Sequence, residues 1–233
     1  MADELVIVHS SDLHLGGGRK GFELHALHDV LAAAAHVHAD ALILAGDVFD
    51  HNRLPLAPIE EATRTLADAR LPVVILPGNH DPVTPDSVYR RGGLADPENV
   101  RVFGVTDDMR IALDGIGLEV WGKPHMEYAD MAPLVTPAER TLRRQVVVAH
   151  GHWIKGPADM HRSWLIDDDE IAATGADYVA LGHWELAQSA GDGRVPAWYS
   201  GSPGMSKSVN VVRIRGEHVD VQRLPLGGPI ADP

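Results

Sequence analysis

Apolar runs of four or five residues recur along the chain, and each stops at a polar cluster. Leu5-Val6-Ile7-Val8 ends at His9-Ser10-Ser11-Asp12, Ala41-Leu42-Ile43-Leu44-Ala45 at Gly46-Asp47, and Val73-Val74-Ile75-Leu76 at Pro77-Gly78. Unbroken aliphatic runs of this length predict strands buried on both faces, because a strand with one wet face alternates instead. Between them Phe22 to His38, rich in Ala and Leu, predicts a helix. So does Pro58 to Ala69, where Pro55 and Pro58 fall before or within the first turn. The β-α-β-α-β alternation predicts parallel strands joined by right-handed crossovers.

The centre is less regular. Val100 to Phe103, Met109 to Leu113 and Leu118 to Trp121 read as short strands, the last two joined through Asp114-Gly115, a hairpin signal. A helix is expected around Pro137 to Arg144, then the strand Gln145 to Ala149, a helix from Asp167 to Thr174, and the strand Tyr178 to Leu181 ending at Gly182-His183. Strands around Ala197 to Tyr199, Val209 to Arg215 and His218 to Arg223 are expected to complete a second sheet. No linker-like stretch interrupts these elements. Residues 1–225 therefore read as one domain and the Gly/Pro-rich 226–233 as a flexible tail.

Composition narrows the chemistry. The chain has 233 residues, 45% hydrophobic and 23% charged, in the globular range. A net charge of −13 argues against a protein that grips nucleic acid through a broad basic surface, since phosphate contacts need clustered Lys and Arg. Bound divalent ions would reverse that field locally where a phosphate sits. With no cysteine, any metal must be held by nitrogen and oxygen donors. The acidic start Met1-Ala2-Asp3-Glu4 lacks the basic and apolar regions of an export signal, and no run approaches a membrane span, so a cytoplasmic protein is expected.

The polar clusters carry metal chemistry. In Asp12-x-His14 two residues on the same side of an extended segment can reach one ion. Asp47 adds a carboxylate able to bridge two cations, with Gly46 allowing close backbone approach. In Gly78-Asn79-His80-Asp81 the amide oxygen is a neutral ligand for a second ion. His80 can meet a phosphate oxygen or leaving group, its tautomer fixed by a carboxylate such as Asp81. His150 and His183 each end an apolar run, beside Gly151 and Gly182, where an imidazole would complete the ion held by Asn79. Arg53, near Asp47, is a candidate phosphate contact. The loop from His152 through Trp164, with its aromatic and basic residues, is a candidate substrate clamp in which His152 lies nearest a ligand.

Taken together, His9-Ser-Ser-Asp-Leu-His-Leu-Gly16, Gly46-Asp-Val-Phe-Asp-His-Asn-Arg53, Pro77-Gly-Asn-His-Asp-Pro82 and Tyr178-Val-Ala-Leu-Gly-His183 resemble the calcineurin-like metallophosphoesterase superfamily, and within it the SbcD-type DNA repair exonuclease branch. The resemblance implies an α/β fold, a four-layer αββα sandwich of two mixed β-sheets flanked by helices. It implies a first ion held by Asp12, His14 and Asp47, a second held by Asp47, Asn79, His150 and His183, and His80 as catalytic histidine with Asp81 orienting it. The family's last motif usually reads Gly-His-x-His, whereas here Glu185 occupies the final imidazole's place. A carboxylate there would favour harder ions: manganese is expected, with iron(II) or zinc as alternatives.

The expected reaction is phosphodiester hydrolysis by a hydroxide bridging two ions roughly 3.5–4 Å apart. Nucleases of this branch carry a capping region and an ATPase-docking segment, and a chain of this length is expected not to hold both. The expectation is therefore a phosphodiester substrate that is small or a short nucleic acid, with no ATPase partner required. A small-molecule phosphomonoesterase, or a metal-free binding module on the same scaffold, fits the same residues as an alternative.

Overall fold

The computed structural model describes residues 4–17 and 24–227. The expected helix start at Phe22 and the tail beyond 227 lie outside the described residues. Among those described, β1 (Glu4–Ser10), α1 (His25–His36), β2 (Ala41–Ala45), α2 (Leu56–Ala67), β3 (Val73–Leu76) and β4 (Val100–Val102) follow in the expected order. The four strands pair in parallel, Ile7 opposite Ala41, Leu42 opposite Val73 and Val73 opposite Val100. Their unbroken apolar character has a direct cause. Val6, Val8, Leu42, Leu44, Val73 and Ile75 face α1 and α2, while Leu5, Ile7, Ile43, Val74 and Leu76 face a second sheet. Pro55 precedes α2 in an extended conformation, so the helix begins two residues before Pro58.

The second sheet holds β5 (Arg110–Leu113), β6 (Leu118–Gly122), β7 (Arg144–His150), β10 (Tyr178–Gly182), β11 (Gln188–Ala190) and β12 (Ala197–Tyr199). Between β7 and β10 come a ribbon of β8 (His152–Trp153) with β9 (Leu165–Ile166), and α3 (Asp168–Ala173). The expected hairpin is present, with Leu113 opposite Leu118 across the turn at Asp114–Ile116. Inward residues Val146, Val148, Tyr178 and Ala180 meet the first sheet. Outward residues Val147, Ala149, Val179 and Leu181 pack on Ile171 of α3 and on loop residues. The outer layer on this side is thus one short helix, started by a reciprocal cap between Asp167 and Glu170, plus irregular chain.

Two expectations are corrected. Residues 137–143 form no helix: the Thr141 N–H donates to the buried Glu119 carboxylate (3.0 Å) and Arg140 pairs with Asp177 (2.9 Å), so contacts with and beside the second sheet hold this segment as irregular chain. Of the late strands only β12 joins the second sheet. β13 (Ser208–Arg215) lies antiparallel beside β1, and β14 (His218–Pro225) forms the edge next to it. Val209 and Val211 face the helices and Val212 and Ile214 the second sheet, the doubly buried pattern of a strand inside the first sheet. No helix among the described residues is long and apolar enough to cross a membrane.

Candidate metal centre

The carboxyl ends of β1, β2 and β3 in one sheet and of β7 and β10 in the other point to the same crevice, the position at which α/β sheets present ligands. Backbone bonds join the tips: the Asp12 N–H donates to the Gly46 carbonyl (3.0 Å) and the His14 N–H to that of Asp47 (3.1 Å). His150 crosses between the sheets, its Nδ1 2.8 Å from the Ala45 carbonyl. A carbonyl only accepts, so Nδ1 carries the proton and Nε2 is turned toward Asp47 (3.1 Å) and Asn79 Oδ1 (3.0 Å). The His183 N–H reaches both Asp12 carboxylate oxygens at 3.1 and 3.2 Å, and its Nδ1 lies 3.1 Å from Asn79 Oδ1.

The backbone is strained where these side chains leave it. Asp12, His14, Asp47 and His183 adopt φ of +53°, +46°, +50° and +96°, a region that costs a non-glycine residue about 1–3 kcal/mol. Glycines beside these residues leave no space for a side chain, and a Cβ on Gly182 would sit 1.8 Å from the Ala45 carbonyl oxygen. A Cβ on Gly46 would sit 2.0 Å from His150 Nδ1, and one on Gly78 2.2 Å from Asp47 Oδ1.

The donors converge as two groups that share Asp47: His14, Asp47 and His80, and Asp12, Asp47 and His150, with the ligand atoms of each group within 4.8 Å of one another. Asn79 Oδ1 meets two imidazoles at once, His150 Nε2 and His183 Nδ1. Charge is crowded here. Burial pushes the Asp12 carboxyl above its ordinary range, and Asp47 adds to that against the pull of His150. Burial would raise Asp47 too, but His150 and the His80 N–H (2.9 Å) outweigh it and hold the group well below the usual carboxylate range. Against its own burial, His150 is drawn up to about 9 by Asp47 and Asp12, while burial and the His150 charge press His183 down to about 3. Strained backbone, shared carboxylate, glycine clearance and converging nitrogen and oxygen donors all fit a pair of divalent cations.

The remaining predicted residues fall in distinct places. His80 is exposed in a cleft of about 620 Å³ lined also by Asp12, His14, Asp47, His183 and Glu185. Its ring is held by the Asp50 carbonyl, 3.1 Å from Nδ1, which leaves Nε2 free. Asp81 instead takes hydrogen bonds from the N–H groups of Gly78 (2.7 Å) and Phe49 (2.9 Å) and from the Tyr89 hydroxyl (2.5 Å). Burial and the Asp47 charge raise it to about 6 against those bonds. It braces the loop that carries Asn79 and His80. Glu185 lines the cleft, but its exposed carboxylate is not among the converging donors. Arg53 lines an adjoining cavity, and buried His152 sits behind His183 with Nε2 on Asp159 (3.1 Å).

Sequence reasoning missed Asp50 and His125. The Asp50 carboxylate meets His14 Nδ1 at 3.1 Å while its carbonyl meets His80, so one residue orients both rings. The signal available was a second acid three residues after Asp47. His125 is buried edge-on to His150 and contacts the His150 carbonyl through Nε2 (2.9 Å). It lies in an irregular stretch with no neighbouring motif, and nothing in the sequence singles it out.

Comparison with known proteins places this geometry in a family. A model described as Calcineurin-like phosphoesterase matches residues 5–184. The SbcD component of nuclease SbcCD from Bacillus subtilis (strain 168) is 24% identical over 274 residues, covering 94% of this chain and 69% of that protein. The same component from Rhodobacter capsulatus is 29% identical, covering 84% of this chain and 61% of that protein. The DNA double-strand break repair protein Mre11 of Aeropyrum pernix is 34% identical over a shorter stretch, 32% of this chain and 20% of that protein. This chain thus spans 61% to 69% of the length of the two SbcCD components it matches. The crystal structure of TT1561 of Thermus thermophilus shares the fold, with a TM-score of 0.64 at 15% identity over 94% of this chain and 98% of that one.

Proposed function

The chain belongs to the calcineurin-like phosphoesterase family, and from that premise we propose that it hydrolyses phosphodiesters at two divalent ions that share Asp47. It is a metal-dependent phosphoric ester hydrolase. The observation that carries the two-ion reading is the sharing of one carboxylate by two donor groups. Asp12, His14 and Asp47, with Glu185 at the cleft, would hold one ion, and Asp47, Asn79, His150 and His183 the other. Manganese suits this mixture of carboxylate, amide and imidazole. When bound, the ions supply Lewis-acid polarisation of the phosphoryl group and activation of water.

The chain's own groups do the rest. Asp50 fixes the rings of His14 and His80, so His80 presents Nε2 to the cleft and is placed to protonate a departing alkoxide or to donate to a phosphoryl oxygen. Asp81 and Tyr89 hold the His80 loop against the β3 terminus. His125 and Ala45 orient His150 from both sides. The diester preference is supported by the SbcCD components, whose names describe nucleases. The net charge of −13 favours small diesters or short nucleic acids over long duplexes. Manganese loading followed by elemental analysis, with hydrolysis of bis-p-nitrophenyl phosphate beside p-nitrophenyl phosphate, tests the reading. Two ions per chain and faster diester cleavage are expected; fewer ions, or a much faster monoester, contradict it.

A further inference from the structure

Beside the metal cleft, and sharing Asp50 and His80 with it, lies a second cavity of about 580 Å³ walled by Arg53, Tyr128 and Trp164. Trp164 is held there at a cost. Its φ of +57° lies in the left-handed region that a bulky side chain avoids, and such a conformation persists only where its surroundings enforce it. The enforcement is visible. The Trp164 N–H donates to Asp130 Oδ1 (2.7 Å), its indole N–H to the Ala129 carbonyl (3.2 Å), and its carbonyl accepts from the His152 N–H (2.7 Å). The indole also stands edge-on to His125 (5.4 Å) and to His183 (5.5 Å). Every polar group of Trp164 is therefore occupied in fixing the ring, and what it offers the cavity is a π-surface.

Tyr128 belongs to the turn that Trp164 grips. It is 59% exposed, an uncommon position for a large aromatic, and its hydroxyl is anchored by Asn52 Nδ2 (3.3 Å). Arg53 is exposed, and its guanidinium has no hydrogen-bond or ion-pair partner among the described residues. The other tryptophans of this region are already covered: Lys155 Nζ lies 5.7 Å from the Trp153 ring and 5.3 Å from that of Trp184. A strained, fully tied indole, an open phenol and an unpaired guanidinium, all opening beside His80, form a site for a flat ring joined to an anion.

We propose that this cavity is a ring-binding subsite, in which Trp164 and Tyr128 stack a planar aromatic group of the nucleobase kind while Arg53 meets the phosphate attached to it. The proposal rests on the phosphoesterase reading only for why a phosphate should be present. Ring recognition is separable from turnover.

Calorimetric titration of the manganese-loaded protein with adenosine 5′-monophosphate and with ribose 5-phosphate isolates the ring. Wild type should bind the nucleotide on the order of ten-fold more tightly, the worth of one base stacked on an aromatic side chain. Trp164→Ala and Tyr128→Ala should each shrink that ratio toward one, and Trp164→Phe should keep most of it. Should Trp164→Ala not fold, Tyr128→Ala, at an exposed ring, decides. Equal affinities in wild type, or a ratio unchanged by Tyr128→Ala, overturn the subsite. A protein that prefers the nucleotide yet cleaves no diester keeps the subsite and refutes the diesterase reading; one that cleaves diesters without the preference does the reverse.

Discussion

The two sheets contribute unequally to the crevice they share. Loops after β1, β2 and β3 bring all the converging oxygen donors, Asp12, Asp47 and Asn79, together with His14 and His80, whereas β7 and β10 bring only the imidazoles of His150 and His183. The group of His14, Asp47 and His80 is complete within the first sheet. The group of Asp12, Asp47 and His150 exists only where the sheets meet. The ion proposed near His14 would thus be held mainly from one sheet edge, by Asp12, His14 and Asp47, and the other, through His150 and His183, would be a clamp between layers. Binding at the clamp should stabilise the packing of the sheets by mass action.

Asp47 belongs to both groups, so Asp47→Ala is expected to have the largest effect, removing both ions and reducing turnover to background. Retention of one tightly bound ion would show that the groups are independent. His80→Ala should keep both ions and cost turnover about 10²–10⁴-fold, the range of a lost proton-transfer group. A near-normal kcat would remove His80 from the reaction.

The clamp should also be the more pH-sensitive half. Burial favours a neutral His150, but Asp47 and Asp12 keep its proton up to about pH 9, and an ion that takes Nε2 must displace that proton. Affinity at this site should therefore climb with pH, by up to about ten-fold per unit below 9, with release of one proton. Titrations between pH 6 and 8 in buffers of different ionisation enthalpy measure it, and a flat profile contradicts the pairing. The smallest effect is expected from Glu185→Ala, about a ten-fold loss of affinity for the ion nearest His14 with stoichiometry preserved. Unchanged affinity would place that carboxylate outside the ion's surroundings.

The same asymmetry explains what could be read from the chain. β1, β2, β3, β7 and β10 each carry an unbroken apolar run because both faces are covered, and the polar residues at their carboxyl ends form the candidate site, so strand and chemistry are legible together. The two-sheet architecture came from the resemblance of those termini to a family, since periodicity leads no further than α/β. Long-range partners left no local trace. Whether residues 137–143 form a helix or irregular chain depends on Glu119 and Asp177, and which sheet receives β13 depends on β1 having an open edge. Asp81 looked like the partner of His80 because it is adjacent in sequence. The fold turns it inward to Tyr89 and gives His80 to Asp50.

Asp47 would join two cations held by different combinations of strand tips. Anomalous diffraction from manganese-soaked crystals tests it most directly. Two peaks flanking the Asp47 carboxylate, one toward His14 and one toward Asn79, His150 and His183, are predicted. A single peak, or two peaks of which one has no contact with Asp47, would contradict it.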